Sequence, residues 1–171
     1  MLSEQTMNRN TLQEIATIEK ETFGKGVTLD TLGSILKTFK EGLLVLYKNK
    51  TTVGYIGWEK HLFQKFPPYN HNWTDFHDPE GKLAYISIIT VQEQFRNRGY
   101  GSQLLSLIEE KAKNHQCTKL YCPVNKKQPY LNKGVLRFWE KNGFTITGET
   151  LWELAPGHSI DSYIFSKKIK Y

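Results

Sequence analysis

LAYISIITVQEQFRNRGYGSQLLSLI, residues 83–108, decides how this chain is read. Its first nine residues, Leu83–Val91, are apolar at nearly every position. That is the pattern of a central strand covered on both faces by helices. Leu104, Leu105, Ile108 and Ala112 then recur at helical spacing, with Lys111, Lys113 and His115 in the last turns, where cations suit the helix dipole. Between strand and helix lies Arg96-Asn97-Arg98-Gly99-Tyr100-Gly101. Glycines let a backbone turn tightly and approach a ligand closely, and amides at the start of a helix form a ready site for an anion such as a pyrophosphate. Arg96 and Arg98 add charge that does not titrate away. The spacing is neither a Walker A loop nor the dinucleotide fingerprint, since no Gly-Lys-Ser/Thr follows and position 104 is Leu. On spacing alone, a glycine turn and an anion cradle are both open readings.

Outward from this stretch the pattern is of one continuous domain, residues 1–171. Thr11-Leu12-Gln13-Glu14 predicts a capping box opening a helix, and Thr28 starts a second one bearing Leu29, Leu32, Ile35, Leu36 and Phe39. Leu43–Lys48 and Thr52–Lys60 predict a hairpin turning at Asn49-Lys50. Residues 61–81 form a long irregular segment, of the kind that is usually functional or mobile in a compact domain. Thr118–Cys122 predicts a short strand and Leu131–Asn142 a helix stopped by Gly143, with Phe144–Glu149 and Ser162–Ser166 as closing strands. The order ααβββαβαββ implies an α/β mixed sheet with helices packed on it.

Composition excludes several classes. Hydrophobic residues at 39% and charged residues at 23% describe a folded chain that is not disordered. The longest apolar run is too short and too interrupted to span a bilayer, and MLSEQTMNRN lacks signal-peptide order, so no membrane is expected and the cytoplasm is. Cys117 and Cys122 are too few for a disulfide framework and read as small buried side chains. The net charge of +6 is spread out, with no recognition motif, so nucleic acid is not expected as a partner.

The chain's motifs resemble those of the GNAT superfamily of N-acetyltransferases. Arg96-x-x-Gly99-x-Gly101 is similar to that family's Q/R-x-x-G-x-G/A signature, with Val91 five residues before the Arg. Asn132, Trp139 seven residues on and Gly143-Phe144 match the family's Asn, aromatic and helix-closing Gly-Phe. The resemblance spans roughly residues 11–150 and implies a GNAT-like fold, a mixed and mostly antiparallel sheet flanked by about four helices. It implies acetyl-CoA as co-substrate, with Ile89, Thr90, Val91, Arg96, Asn97, Arg98, Gly99, Tyr100, Gly101, Ser102 and Asn132 at the cofactor. Within that set, backbone groups of Ile89 and Val91 would meet the pantetheine arm, and Asn132 reads equally as a helix cap.

The family often carries Glu or His six residues before the conserved Val and Tyr at the acid position. Here these are Tyr85 and Trp139, neither a ready proton carrier at neutral pH. Glu59 is then the candidate base, against a reading as a solvated strand end; Tyr85 could hold a water for it or simply pack; Tyr130 could stand in for the acid. Trp58, Ser87 and Trp139 are the expected substrate contacts, with Tyr85, Ser87, Ile89 and Val91 expected on one strand face. Phe63, Phe66, Tyr69, Trp73 and Phe76, with Asp75 and Asp78, would either line a pocket for an arylalkylamine or polyamine or pin the 61–81 segment to the body. His71, His77, Asp75 and Asp78 lack a ligand spacing, so no metal is expected. A monomer or homodimer acetylating a small-molecule amine is the leading reading. A peptide or lysine acetyltransferase and a non-catalytic CoA-binding module stand beside it.

Overall fold

A computed structural model describes residues 2–3, 9–24, 26–127 and 131–171. Its elements are β1 (Leu2–Ser3), α1 (Arg9–Phe23), α2 (Leu29–Thr38), β2 (Leu43–Lys48), β3 (Thr51–His61), α3 (Trp73–Phe76), β4 (Leu83–Val91), α4 (Tyr100–Asn114), β5 (Lys119–Asn125), α5 (Lys133–Lys141), β6 (Thr145–Ala155) and β7 (His158–Lys168). One sheet joins the strands in the order β1-β2-β3-β4-β5-β7-β6. The β4–β5 pair is parallel and the others are antiparallel. This is the mixed, mostly antiparallel sheet that the sequence implies. No described helix is long and apolar enough to cross a membrane.

Local chemistry explains most boundaries. Thr28 caps α2 by accepting from the Thr31 N–H at 3.1 Å. Asn49 and Lys50, with φ of 50° and 66°, make the tight turn between β2 and β3. Two expectations need correction. Thr11 opens no capping box: α1 begins at Arg9, and Thr11 is buried within it, accepting from the Tyr47 hydroxyl at 3.3 Å. β6 and β7 run well past Glu149 and Ser166 and start before Ser162, closing on a turn at Pro156-Gly157. β6 lies at the sheet edge with Leu151 71% exposed, so burial leaves little apolar alternation to read there.

The sheet separates two cores. On one face α4 and α5 bury Leu104, Leu105, Ile108 and Trp139 against Ile56, Trp58, Ala84 and Ile86. On the other, α1, α2 and α3 bury Ile15, Ile18, Leu32, Ile35 and Trp73 against Val45 and Tyr55. β4 changes phase within this sandwich. Gly57 pairs with Ile88 but Trp58 pairs with Ile86, so Ser87 is an extra residue, a β-bulge. The strand therefore does not keep Tyr85, Ser87, Ile89 and Val91 on one face, as strict alternation predicts. Ile86, Ile89 and Val91 pack toward α4, while Ile88 and Thr90 turn toward α1.

Beside this bulge β3 and β4 approach closely at Gly54. A Cβ there would stand 2.5 Å from the Thr90 carbonyl oxygen and 3.1 Å from the Val91 Cα, both backbone atoms that cannot move aside. Gly54→Ala should cost about 2 kcal/mol through overpacking, read as a lower urea midpoint at unchanged slope.

Candidate functional site

β4 and β5 pair through only three rungs, Leu83↔Lys119, Ala84↔Leu120 and Tyr85↔Tyr121, and then part. β4 stays with β3 as far as Val91, and β5 stays with β7 as far as Asn125, so a gap opens between them. The Ser87 bulge bends one side of it, and Pro123 has no N–H to give across it. Gln92 N–H donates to the Val53 carbonyl at 3.0 Å, which sets the phase of the β3–β4 ladder. Gly54↔Val91 and Ile56↔Ile89 are then non-hydrogen-bonded pairs, so the N–H and C=O groups of Ile89 and Val91 point into the gap. Arg96 Nε reaches back to donate to the Val91 carbonyl at 3.0 Å.

The gap encloses a cleft of about 270 Å³. Its lining includes Trp139 from α5, on one face of the sheet, and Glu19 from α1, on the other. The cleft therefore perforates the sheet, with one mouth on the α4–α5 side and one on the α1 side.

The glycine loop follows β4 and leads into α4. Asn97 and Gly99 are both left-handed, with φ of 61° and 85°. No described residue accepts from the backbone N–H of Asn97 through Ser102. A run of free amides in alternating handedness, at the positive end of a 15-residue helix, is an anion-binding concavity. The two glycines serve different ends. Gly99 faces open space and supplies the positive φ. Gly101 lies where a Cβ would stand 2.9 Å from Phe138 Cε2, so it lets α5 pack on α4. Asn132 caps α5, its Oδ1 accepting from the N–H of Gly134 at 2.9 Å and Val135 at 3.0 Å.

Other expected site residues separate into two places. Ile89, Ser87 and Trp139 line the cleft. Trp58 does not: it is fully buried toward α4 and donates from Nε1 to the Glu41 carbonyl. Tyr85 is 1% exposed and stacks on His61, 5.1 Å between ring centres. Tyr130 lies outside the described residues. Among the aromatics of residues 61–81, Trp73 is core, Phe63 is 78% exposed, Phe66 packs on Tyr85 and Tyr121, and Tyr69 lines the cleft. The wall on the α1 side is instead built by Glu19, Phe23, Trp152, Leu154 and Ile160. Glu19 carries a signal in the sequence: it stands four residues after Ile15 and seven after Leu12, on the apolar stripe of α1.

Glu59 is no solvated strand end. It is fully buried behind the cleft, where its Oε1 accepts from His71 Nε2 at 2.7 Å, with His61 Nε2 at 3.2 Å. His71 Nδ1 meets the Pro68 carbonyl at 2.8 Å, so both ring nitrogens are engaged. This pair, the Lys60 N–H to His77 Nδ1 at 3.2 Å and the Asp78 N–H to the Lys60 carbonyl at 2.8 Å fasten residues 62–82 over β3. Burial alone would raise the Glu59 carboxyl, but the imidazoles of His61 and His71 hold it below its ordinary value. Burial pushes His61 down, and His77 down to about 4. Burial also raises the Cys122 thiol, which favours its protonated form. Among the described residues no group of three or more His, Cys, Asp or Glu is arranged to hold a metal ion.

The model of the acetyltransferase (GNAT) family matches residues 12–144. Acetyltransferase Atu2258 of Agrobacterium fabrum is 33% identical over 84 residues, 49% of this chain, and the match spans only 56% of that relative's length. The crystal structure of Ard1 from Thermoplasma volcanium superposes with a TM-score of 0.76 at 16% identity, over 99% of each chain. The GphF GNAT-like decarboxylase, solved with isobutyryl-CoA, gives 0.80 at 16% identity over 99% of this chain and 100% of its own. At such identities the two structures speak for the fold alone.

The histidine shifts carry a sign. His61 and His77 are depressed in the folded chain, so unfolding takes up protons that the folded state refuses, and stability falls as pH drops from about 6.5 toward 4. Thermal unfolding at pH 7.5, 6 and 4.5 should show a melting temperature several degrees lower at each step. A His77→Phe variant, keeping the stack on Phe39 4.6 Å away, should flatten the descent.

Proposed function

The chain belongs to the acetyltransferase (GNAT) family, and from that premise we propose that it transfers the acetyl group of acetyl-CoA to a primary amine of a small molecule in the cytoplasm. The observation that carries this reading is the row of unclaimed amides from Asn97 to Ser102 beside a strand edge whose own amides face the gap. Those groups fit a pyrophosphate followed by an extended amide-bearing arm. Loop N–H groups and the Arg98 guanidinium take the phosphate charge, and Ile89 and Val91 offer the arm one edge of a β-ladder. Arg96, tied to the Val91 carbonyl, braces the mouth between loop and strand. Bound there, acetyl-CoA supplies an activated acyl carbonyl in the middle of the sheet.

The chain's own contribution to the chemistry is positional. The Val91 N–H is free to donate to a carbonyl oxygen as its charge grows, a single fixed dipole of the oxyanion-hole kind. An alkylammonium of pKa ~10 must give up a proton, to water reaching the cleft, before its nitrogen can attack. The departing sulfur leaves as a thiolate, for which Tyr130 is the candidate proton donor. Glu59 and Tyr85 act from behind the gap: Glu59 fixes His71 and the segment above it, and Tyr85 closes the last rung between β4 and β5.

Acetyl-CoA at a hundredfold excess over its Kd should raise stability by about 2.7 kcal/mol, seen as a clear upward melting shift. Gly99→Glu should abolish that shift through charge repulsion while leaving the fold intact, since the position faces open space and positive φ costs only about 1 kcal/mol. Normal acetyl-CoA binding by this variant would refute the loop assignment. Thiol release across an amine panel then separates an enzyme from a silent CoA binder. Glu59→Gln removes the buried carboxylate that accepts from His71 and should cost about 3 kcal/mol of stability. The same variant should keep kcat within tenfold, well short of the 10²–10⁴ lost with a general base. A thousandfold loss of kcat at an unchanged melting temperature would make Glu59 the base.

A further inference from the structure

The α1-side mouth of the cleft is built around one carboxylate. Glu19 is fully buried, yet it lines the cleft. Its Oε1 accepts from the Tyr55 hydroxyl at 2.5 Å and the Thr90 hydroxyl at 2.6 Å, and its Oε2 accepts from the Tyr69 hydroxyl. Burial first, and the charge of Glu19 second, push Tyr55 upward, so this phenol remains a donor. Three neutral hydroxyls thus orient the carboxylate from β3, β4 and the segment before α3. No described Lys, Arg or His lies within ion-pair distance of it.

A buried carboxylate without a cation is expensive, and folded proteins seldom leave one unpaired. Here the group faces a cleft, one oxygen carrying a single hydroxyl and so retaining acceptor capacity toward it. The surrounding wall is apolar: Phe23, Trp152, Leu154 and Ile160. Trp152 is oriented by its Nε1–H donating to the Pro67 carbonyl at 2.8 Å, and the Tyr69 N–H donates to the Glu153 carbonyl at 3.0 Å, so the wall is held as one piece. Among the described residues the wall supplies no second carboxylate for the far end of a polyamine and no cation for the carboxylate of an amino acid.

We propose that Glu19 is the seat of the acceptor's ammonium, and that the acceptor is a monoamine with an apolar or aromatic tail and no carboxylate. The inference rests on the acyl-transfer reading for its importance but not for its test, because seating a cation needs no turnover. Glu19 acts here by holding the amine nitrogen beside the β4 edge at Ile89, where the cleft passes through the sheet.

Calorimetry in the presence of CoA decides it, with 2-phenylethylamine and its neutral counterpart 2-phenylethanol as probes. The wild-type protein should bind the amine at least tenfold more tightly than the alcohol, and Glu19→Gln should erase that preference while leaving the acetyl-CoA melting shift in place. Equal affinity for amine and alcohol in the wild type, or an undiminished preference in a folded Glu19→Gln protein, overturns the proposal. Should Glu19→Gln fail to fold, Tyr69→Phe, which removes one donor and keeps the charge, should retain the amine preference, and Trp152→Ala should weaken both probes alike. Loss of the preference in Tyr69→Phe, or unchanged probe affinity in Trp152→Ala, would overturn it. Amine selectivity without any thiol release across the panel leaves the seat standing and refutes the acetyl-transfer reading instead.

Discussion

The rest of the molecule follows from the failure of two parallel strands to stay together. After the Tyr85↔Tyr121 rung, β4 and β5 keep their outer partners and lose each other. A sheet interior normally has every amide and carbonyl engaged, because a buried polar group without a partner is costly. Here the exposed edge of β4 survives because the Ser87 bulge turns the strand, Arg96 takes the Val91 carbonyl, and the cleft admits a ligand or water to the remaining groups. The loop after β4 continues the same edge, and no described residue accepts from its amides.

How much of this is legible in the chain depends on what each signal encodes. Residues 83–108 announce strand, loop and helix because an apolar run, two glycines and a helical stripe are each local patterns. The cap by Asn132 and the left-handed Gly143 are equally local, with φ at Gly143 of 83°. The Ser87 bulge is not local. It is set by registry with β3 at Gly57 and Trp58, so the reading of one face through Tyr85, Ser87, Ile89 and Val91 breaks in the middle.

The site shows the same division. Ile89, Ser87 and Trp139 come from elements with strong patterns, and they line the cleft. Glu59 reads either as a candidate base beside the cleft or as a solvated strand end; the strand pattern cannot show that His71, twelve residues on, covers it. Glu19 is one acid on the buried stripe of α1, and a helix that is otherwise ordinarily amphipathic gives no local sign of what that acid faces. Trp152 and Ile160 lie on long edge strands whose exposed half conceals the pattern.

The perforated sheet has a consequence for how the chain can vary. The two mouths are drawn from separate stretches of sequence: one from the β4–α4 turn and α5, the other from α1, residues 67–69 and the β6–β7 hairpin. Substitutions at Phe23, Trp152, Leu154 or Ile160 reshape one entrance without touching the turn at the other. A lineage carrying this scaffold can therefore exchange what enters from the α1 side while the opposite side stays fixed, with Ile89 and Val91 as the shared threshold.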